Sequence, residues 1–474
     1  MQFFSIPFFL LVAVIFVAIK IIGCVIKSEK VRIVTSNIIL LFASYIFIIY
    51  ADYRFAIALL LLTISTWLFA KNTKTIALGV VIALGSLCFF KYTNFFIESF
   101  AKIFGNDFTA LNLIVPIGVS FYTFSAISYL VDIKRKKVEP ASFFDVALYL
   151  SFFPKLTSGP IQRSKDFLSQ IHSDRNIGLK TFSVGIQIFV FGLFKKIVLA
   201  DRLSVFVNQV FDTPKVFSWF TVLLGVIAYS FQIYFDFSGY SDMAIGVAKI
   251  LGFDLPRNFN LPYVSHNVTE LWKRWHISLS SWLQEYLYIS LGGSRKGKFR
   301  TYLNLILTMV LGGIWHGANW TYVFWGLLHG LALAVHKVWM NLTSSANKKS
   351  TKIGSLISIA VTFAFTSFCW IFFRADSFSK AVDVIAQIVN FSDGVTQPYF
   401  WLIFSLVVYV VALLVAKKKG KSEQTKKMNL STMEGVYPIM DLSKTWCLTL
   451  FFVFLGLVVL FAYTGGSPFI YGNY

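Results

Sequence analysis

Long apolar runs, separated by short polar or basic stretches, recur along the whole chain. They cover Phe3–Val25, Val34–Tyr50, Phe55–Ala70, Ile76–Phe90, Leu113–Val131 and Phe143–Phe153. Further along come Phe182–Leu199, Phe217–Phe235, Tyr302–Ile314, Tyr322–Val335, Ile353–Phe373, Tyr399–Ala416 and Trp446–Tyr463. A bilayer core about 30 Å thick takes about 20 helical residues to cross, and only helices or closed barrels satisfy their backbone there. The pattern predicts an all-α, polytopic membrane protein with about 11 transmembrane helices. The shorter runs predict tilted, re-entrant or interfacial helices. No internal repeat is visible, so an inverted-repeat transporter gains no support. No linker separates two domains, and residues 1–474 are expected to form one membrane-embedded domain.

One segment carries a second periodicity. Between 267 and 287, apolar residues fall at Val268, Leu271, Trp272, Trp275, Leu279, Trp282, Leu283, Tyr286 and Leu287, the spacing of an amphipathic helix. Asn267 followed by Glu270 predicts a capped start. Lys273, Arg274, His276, Ser280 and Ser281 lie off the stripe, with His276 on the face of Lys273 and Ser280. That face either meets lipid headgroups or lines a pocket for an anionic substrate. The GGSRKGKFR loop follows, with glycines beside Arg295, Lys296, Lys298 and Arg300, a composition suited to phosphate.

Composition agrees with the pattern. Of 474 residues 57% are hydrophobic and 14% charged, too little charge to cover a soluble protein of this length. The formal net charge of +21 sits in short runs between apolar segments: Lys27, Lys30 and Arg32; Lys134 to Lys137; the 295–300 loop; and Lys417 to Lys427 in a polar loop at about 417–444. Basic cytoplasmic loops explain this better than nucleic-acid binding. The four cysteines are scattered without a CxxC, which argues against a disulfide framework or zinc site. The first run has no basic residue before it and is expected to be a retained span.

Chemistry-bearing residues concentrate in the middle of the chain. Pro116 and Gly118, then Pro154, Gly159 and Pro160, interrupt apolar sequence and predict either a re-entrant segment or an interfacial loop. Asp236 lies within an apolar run and is a candidate for lining a site or for pairing internally. In LGGIWHGANW, His316 stands beside Trp315, with Gly312 and Gly313 on its helical face, leaving room for a ligand or a close helix. A neutral imidazole in a water-poor place is a competent general base. His276 lies forty positions upstream and is the second candidate. His329 and His336 are expected to pack or hydrogen-bond. No HxxxH or HExxH spacing occurs, so no metal is expected.

Taken together, VPIGVSFYTFSAISYLVD, LSFFPKLTSGPIQR, FQIYFDFSGYSDMAIG, LPRNFNLPYVSHNVTELWKRWHISLSSWLQEYLYISLGGSRKG, YLNLILTMVLGGIWHGANWTYVFWGLLHG and WIFFRAD closely resemble the membrane-bound O-acyltransferase family. The likeness is to its bacterial branch of alginate and peptidoglycan O-acetylation membrane proteins, and it is strongest over about 85–376. The C-terminal GSPFIYGNY is similar to that branch's ending. The resemblance implies a helical bundle around a central tunnel, in a multi-pass protein of the bacterial cytoplasmic (inner) membrane. It maps the essential histidine onto His316 and its upstream polar partner onto His276. It implies cytoplasmic acetyl-CoA as donor substrate with no bound cofactor, a polysaccharide acceptor, and an extracytoplasmic partner of SGNH type. In the mechanism so implied, His316 acts as base on an acceptor hydroxyl. Trp275, Trp315, Asn319 and Lys273 join Asp236 as candidates for lining the tunnel, and Arg295, Lys296 and Lys298 as ligands of the donor phosphates. Three other readings stand beside it: D-alanyl transfer to teichoic acid by the same fold, a proton- or ion-coupled transporter, and a non-catalytic scaffold that only anchors a partner.

Overall fold

A computed structural model describes residues 3–105, 110–175, 177–343, 351–422, 439–463, 465 and 470, with side chains left undescribed at 418–422. Among the described residues the regular elements are all helices, and there is no strand. By contacts the chain separates into two compact units, Met1–Phe191 with Tyr240–Pro256, and Gly192–Gly239 with Arg257–Tyr474. Most of the expected basic loop at 417–444, and most of the GSPFIYGNY ending, lie outside the described residues.

The first unit begins with four long helices, α1 (Ile6–Val25), α2 (Glu29–Ile49), α3 (Tyr53–Ala70) and α4 (Ile76–Phe104). Their connections are short, so successive helices pack as neighbours. Asp52 starts α3 by accepting from the Arg54 backbone N–H. There follow α5 (Val119–Lys134), α6 (Phe143–Ser151), the single turn α7 (Phe153–Leu156), α8 (Ser164–Ile171) and α9 (Leu179–Leu193). The proline and glycine signals at 154–160 produce a hook buried in protein. Pro154, Lys155, Ser158 and Gly159 are all inaccessible, and the Lys155 ammonium lies 3.9 Å from the centre of the Tyr149 ring. Gly159 is required there, because a Cβ would come within 2.5 Å of the Lys155 Cα. Irregular backbone is thus tolerated by being wrapped in side chains.

In the second unit a π-helical turn, Phe194–Ala200, leads into α10 (Asp201–Asp212). Helix α11 (Trp219–Ile250), whose residues from Tyr240 onward belong to the first unit, is the most buried of the candidate membrane spans among the described residues. Of its most apolar 18-residue window 78% is buried, against 17% in α1, so α11 is a core element rather than a lipid-facing one. After it come α12 (Val268–Arg274), α13 (Ile277–Trp282), α14 (Lys298–His316), α15 (Trp320–Thr343), α16 (Lys352–Arg374), α17 (Phe378–Val389), α18 (Phe400–Ser422) and α19 (Thr445–Phe461). Among the described residues nine helices are long and apolar enough to cross a membrane, and α19 is a shorter apolar one.

The α14–α15 pair explains the glycines before His316. A Cβ on Gly313 would meet the Tyr322 carbonyl oxygen at 2.3 Å, and one on Gly326 the Met309 carbonyl oxygen at 2.4 Å. Of the two uses open to Gly313, the structure takes the close helix contact. That contact fixes the end of α14, and with it His316.

Candidate active site

The expected single helix over 267–287 is interrupted at the residue of interest. Asn267 does cap it, accepting from the Glu270 N–H at 2.8 Å. The helix stops at Arg274, Trp275 turns extended, and His276 takes the left-handed conformation at φ 42°, ψ 54°. The cause lies in the loop before it. The Asn260 N–H donates to the Arg274 carbonyl at 2.9 Å, and the Ile277 N–H donates to the Asn258 carbonyl at 2.8 Å. Backbone groups of the 258–260 loop therefore take over bonds that a continuous helix would make internally. A histidine at positive φ is uncommon and carries strain, which accumulates where position matters more than stability. One consequence is that helical spacing no longer relates His276 to Lys273.

His276 is fully buried. Its ring meets Phe237 edge-on at 4.6 Å between centroids and lies 6.3 Å from the Trp315 ring. Its Nδ1 is 3.3 Å from Asn258 Oδ1. The same oxygen accepts from the Ser278 hydroxyl at 2.6 Å and from the Ser278 backbone N–H at 3.3 Å. A backbone N–H only donates, so this amide atom is the acceptor oxygen. His276 must then donate through Nδ1, and its Nε2 keeps the lone pair. His276 lies outside the nine candidate spans. Burial depresses its basicity to a pKa of about 3, so the ring is neutral at physiological pH.

His316 is the last residue of α14, and Gly317 after it is extended. It is buried in an aromatic shell, its ring 4.9 Å from Trp315, 5.1 Å from Trp325 and 5.2 Å from Phe373. Trp315 therefore contacts both histidines. Beyond Trp325 lies His329, buried at 4.9 Å from that ring and 5.2 Å from Trp272.

The other candidates separate. Trp275 is a core residue, packed 4.9 Å from Trp370 and 5.0 Å from Phe259. Asn319 caps α15: its Oδ1 accepts from the Thr321 N–H at 3.0 Å, and its Nδ2 donates to the Asp376 carbonyl at 2.9 Å. Both ends of that amide are thus committed to backbone. Asp236 belongs to a buried ion cluster. Lys196 reaches it at 2.6 Å and Asp201 at 2.9 Å, and the Ile470 N–H donates to its second oxygen at 2.8 Å. A carboxylate in that setting is neutralised by its own neighbours.

Lys273 lines a cavity of about 470 Å³ together with Lys337, Ser280, Ser281, Gln284 and Thr308. Arg295, Lys296 and Lys298 are exposed and do not line it, although Ser294 does. Sequence reasoning missed Lys337 and Asn258. Lys337 is 64 positions from Lys273 and gives no local signal. Asn258 stands in PRNFN, where only tertiary contact reveals its partner.

A profile of the MBOAT family, the membrane-bound O-acyltransferases, matches residues 2–375. A Helicobacter pylori protein named peptidoglycan O-acetyltransferase is 40% identical over 340 residues, 66% of this chain and 64% of that protein. The chain thus spans just under two thirds of that relative's length. A Pseudomonas putida protein named probable alginate O-acetylase AlgI is 40% identical over 376 residues, 75% of each chain. A Streptococcus thermophilus protein named teichoic acid D-alanyltransferase is 31% identical over 253 residues, 50% of this chain and 60% of that protein. With nine candidate spans among the described residues, two buried histidines on one tryptophan and a profile match over most of its length, the chain belongs to the membrane-bound O-acyltransferase family and is a multi-pass membrane protein.

Proposed function

We propose that the protein takes an acetyl group from cytoplasmic acetyl-CoA and passes it across the bacterial inner membrane for O-acetylation of an exported or cell-wall polysaccharide. An extracytoplasmic SGNH-type partner completes the transfer. The single observation that carries the site assignment is Trp315, whose ring contacts those of both His276 and His316. The names of the relatives at 40% identity support acetyl as the group moved.

In this reading His316 removes the proton of the acceptor hydroxyl. The freed oxygen pair attacks the thioester carbonyl, the tetrahedral adduct collapses, and the thiolate leaves and takes up a proton. His276, with Nδ1–H directed to Asn258, offers Nε2 as an acceptor that orients the incoming hydroxyl. The cavity beside Lys273 and Lys337 receives the donor, its two ammonium groups facing the phosphates. Arg295, Lys296 and Lys298 then act in membrane orientation.

The test is His316→Ala in the full chain, with membrane abundance confirmed and ester-linked acetate on the exported glycan measured after mild base. Loss of acetate at normal abundance is expected. Unchanged acetate refutes the role of His316, and ester-linked D-alanine in place of acetate refutes the choice of acyl group.

A further inference from the structure

The first unit holds a separate polar cavity of about 500 Å³. Lys20 and Gly23 reach it from the last turns of α1, Arg32 and Ser36 from α2, and Asp174 and Arg175 from the segment after α8. Three cations and one carboxylate therefore share one enclosure. Arg32 is spent on Asp174 through a two-pronged ion pair. Arg175 is held rigid: its guanidinium lies 4.7 Å from the Phe253 ring centre and donates to Asn37 Oδ1 at 2.8 Å. Asn37 in turn donates to the Ile171 carbonyl at 2.8 Å, tying the segment to α2. A stacked, anchored guanidinium is preorganised for an oxyanion. Lys20 has no ion-pair partner among the described residues, although it sits inside an apolar span. A cation there calls for an anion or for water.

Size and surroundings narrow the ligand. The cavity is larger than a bare phosphate. Gly23 leaves it open, since a Cβ at that position meets no atom within 4 Å. On the adjoining stripe of α1, Val17, Ile21 and Val25 are exposed at 53%, 57% and 72%, a surface suited to acyl chains. Lys27 and Lys30 follow α1 directly, which assigns this end to the cytoplasmic leaflet, where anionic lipids concentrate. We infer that this cavity binds the phosphodiester headgroup of an anionic phospholipid, with Lys20 and Arg175 on the phosphate and the acyl chains along α1. The inference does not depend on the acyl-transfer reading.

The experiment uses the purified full chain in detergent and counts bound lipid by native mass spectrometry. Dihexanoyl phosphatidylglycerol is compared with dihexanoyl phosphatidylcholine, with and without inorganic phosphate. One phosphatidylglycerol per chain is expected, and little phosphatidylcholine. Lys20→Gln is expected to weaken binding about fivefold, the effect of one cation near a charged surface. Gly23→Leu fills the space without a clash and is expected to abolish binding. Lys102→Gln, an exposed charge elsewhere in the unit, is expected to change nothing. Equal binding of both lipids, equal loss in Lys102→Gln, or full binding in both Lys20→Gln and Gly23→Leu overturns the inference. Displacement by equimolar inorganic phosphate overturns the lipid as source and leaves a free-phosphate site.

Discussion

Asn258 offers the sharpest test of the site. It is buried, and its Oδ1 accepts three hydrogen bonds: from the Ser278 hydroxyl at 2.6 Å, the Ser278 N–H at 3.3 Å and His276 Nδ1–H at 3.3 Å. Asn258→Leu keeps the volume and removes the acceptor. At about 1 kcal/mol per bond the direct loss is about 3 kcal/mol, enough to lower stability without unfolding a protein of this size. The catalytic consequence is larger than the stability loss implies. Without the acceptor, the neutral imidazole of His276 is free to move its proton to Nε2, so a fraction of molecules presents a donor where an acceptor is required. A small displacement of a positioning group costs up to about 100-fold in rate, and a fall of about 10- to 100-fold in turnover is expected. The donor KM is expected to stay near its starting value, because Asn258 does not line the cavity. Asn258→Asp restores the acceptor and adds a carboxylate, which favours imidazolium and raises the His276 pKa from about 3. Activity should therefore return at alkaline pH, with its acid limb moved upward. The assay is acetyl transfer in isolated membranes, normalised to protein, across pH 5–9. Asn258→Leu within twofold of the parent, or an Asn258→Asp profile no different from it, refutes the positioning of His276 by Asn258.

Three further outcomes follow from the same geometry. Because His276 is buried neutral with a pKa of about 3 against about 6.5 when unfolded, the folded chain binds fewer protons between those values. Its contribution to stability is complete above pH 6.5 and is lost as pH falls toward 3, so the thermal midpoint should drop from pH 7.5 to pH 5 less steeply in His276→Gln than in the parent. Lys196→Met removes the cation that Asp201 and Asp236 share in the core and should cost about 3–5 kcal/mol, whereas Lys196→Met with Asp201→Asn and Asp236→Asn should recover part of it. Thermal unfolding of the purified variants checks both. Lys273→Gln with Lys337→Gln should raise the donor KM about tenfold or more, at 1.5–3 kcal/mol per charged hydrogen bond, while neutralising Arg295, Lys296 and Lys298 should leave it unchanged.

How much of this was legible in the sequence depends on the range of the interaction responsible. The helices and the burial of their apolar faces follow from local composition and period, because a span has to satisfy its own backbone. The cap at Asn267 is equally local and forms as spacing predicts. The break at His276 is not. Periodicity extends an uninterrupted helix through 267–287, and the backbone of 258–260 ends it at Arg274. The same limit applies to charge. A run such as 295–300 is conspicuous in sequence and exposed in the fold, whereas Lys337 is inconspicuous and lines the cavity with Lys273. Asp236 is conspicuous for the opposite reason: a lone carboxylate in an apolar run, until Lys196 is found beside it.

These departures share a physical origin. Where helix propensity alone would keep a regular element, an external loop backbone or a buried countercharge has replaced an internal bond, and the replacement fixes a side chain in place. At His276 it selects both the ring position and the tautomer. At Gly313 and Gly326 the absence of side chains lets two helices meet backbone to backbone, which sets the end of α14. The two histidines thus rest on different devices, one a strained residue held by a loop and the other a helix terminus held by a glycine contact. The Trp315 ring touches both. Replacing Trp315 therefore perturbs a relation between the histidines that neither device maintains by itself, and its effect on turnover should exceed that of replacing Trp275, which packs on Trp370 and Phe259 in the core.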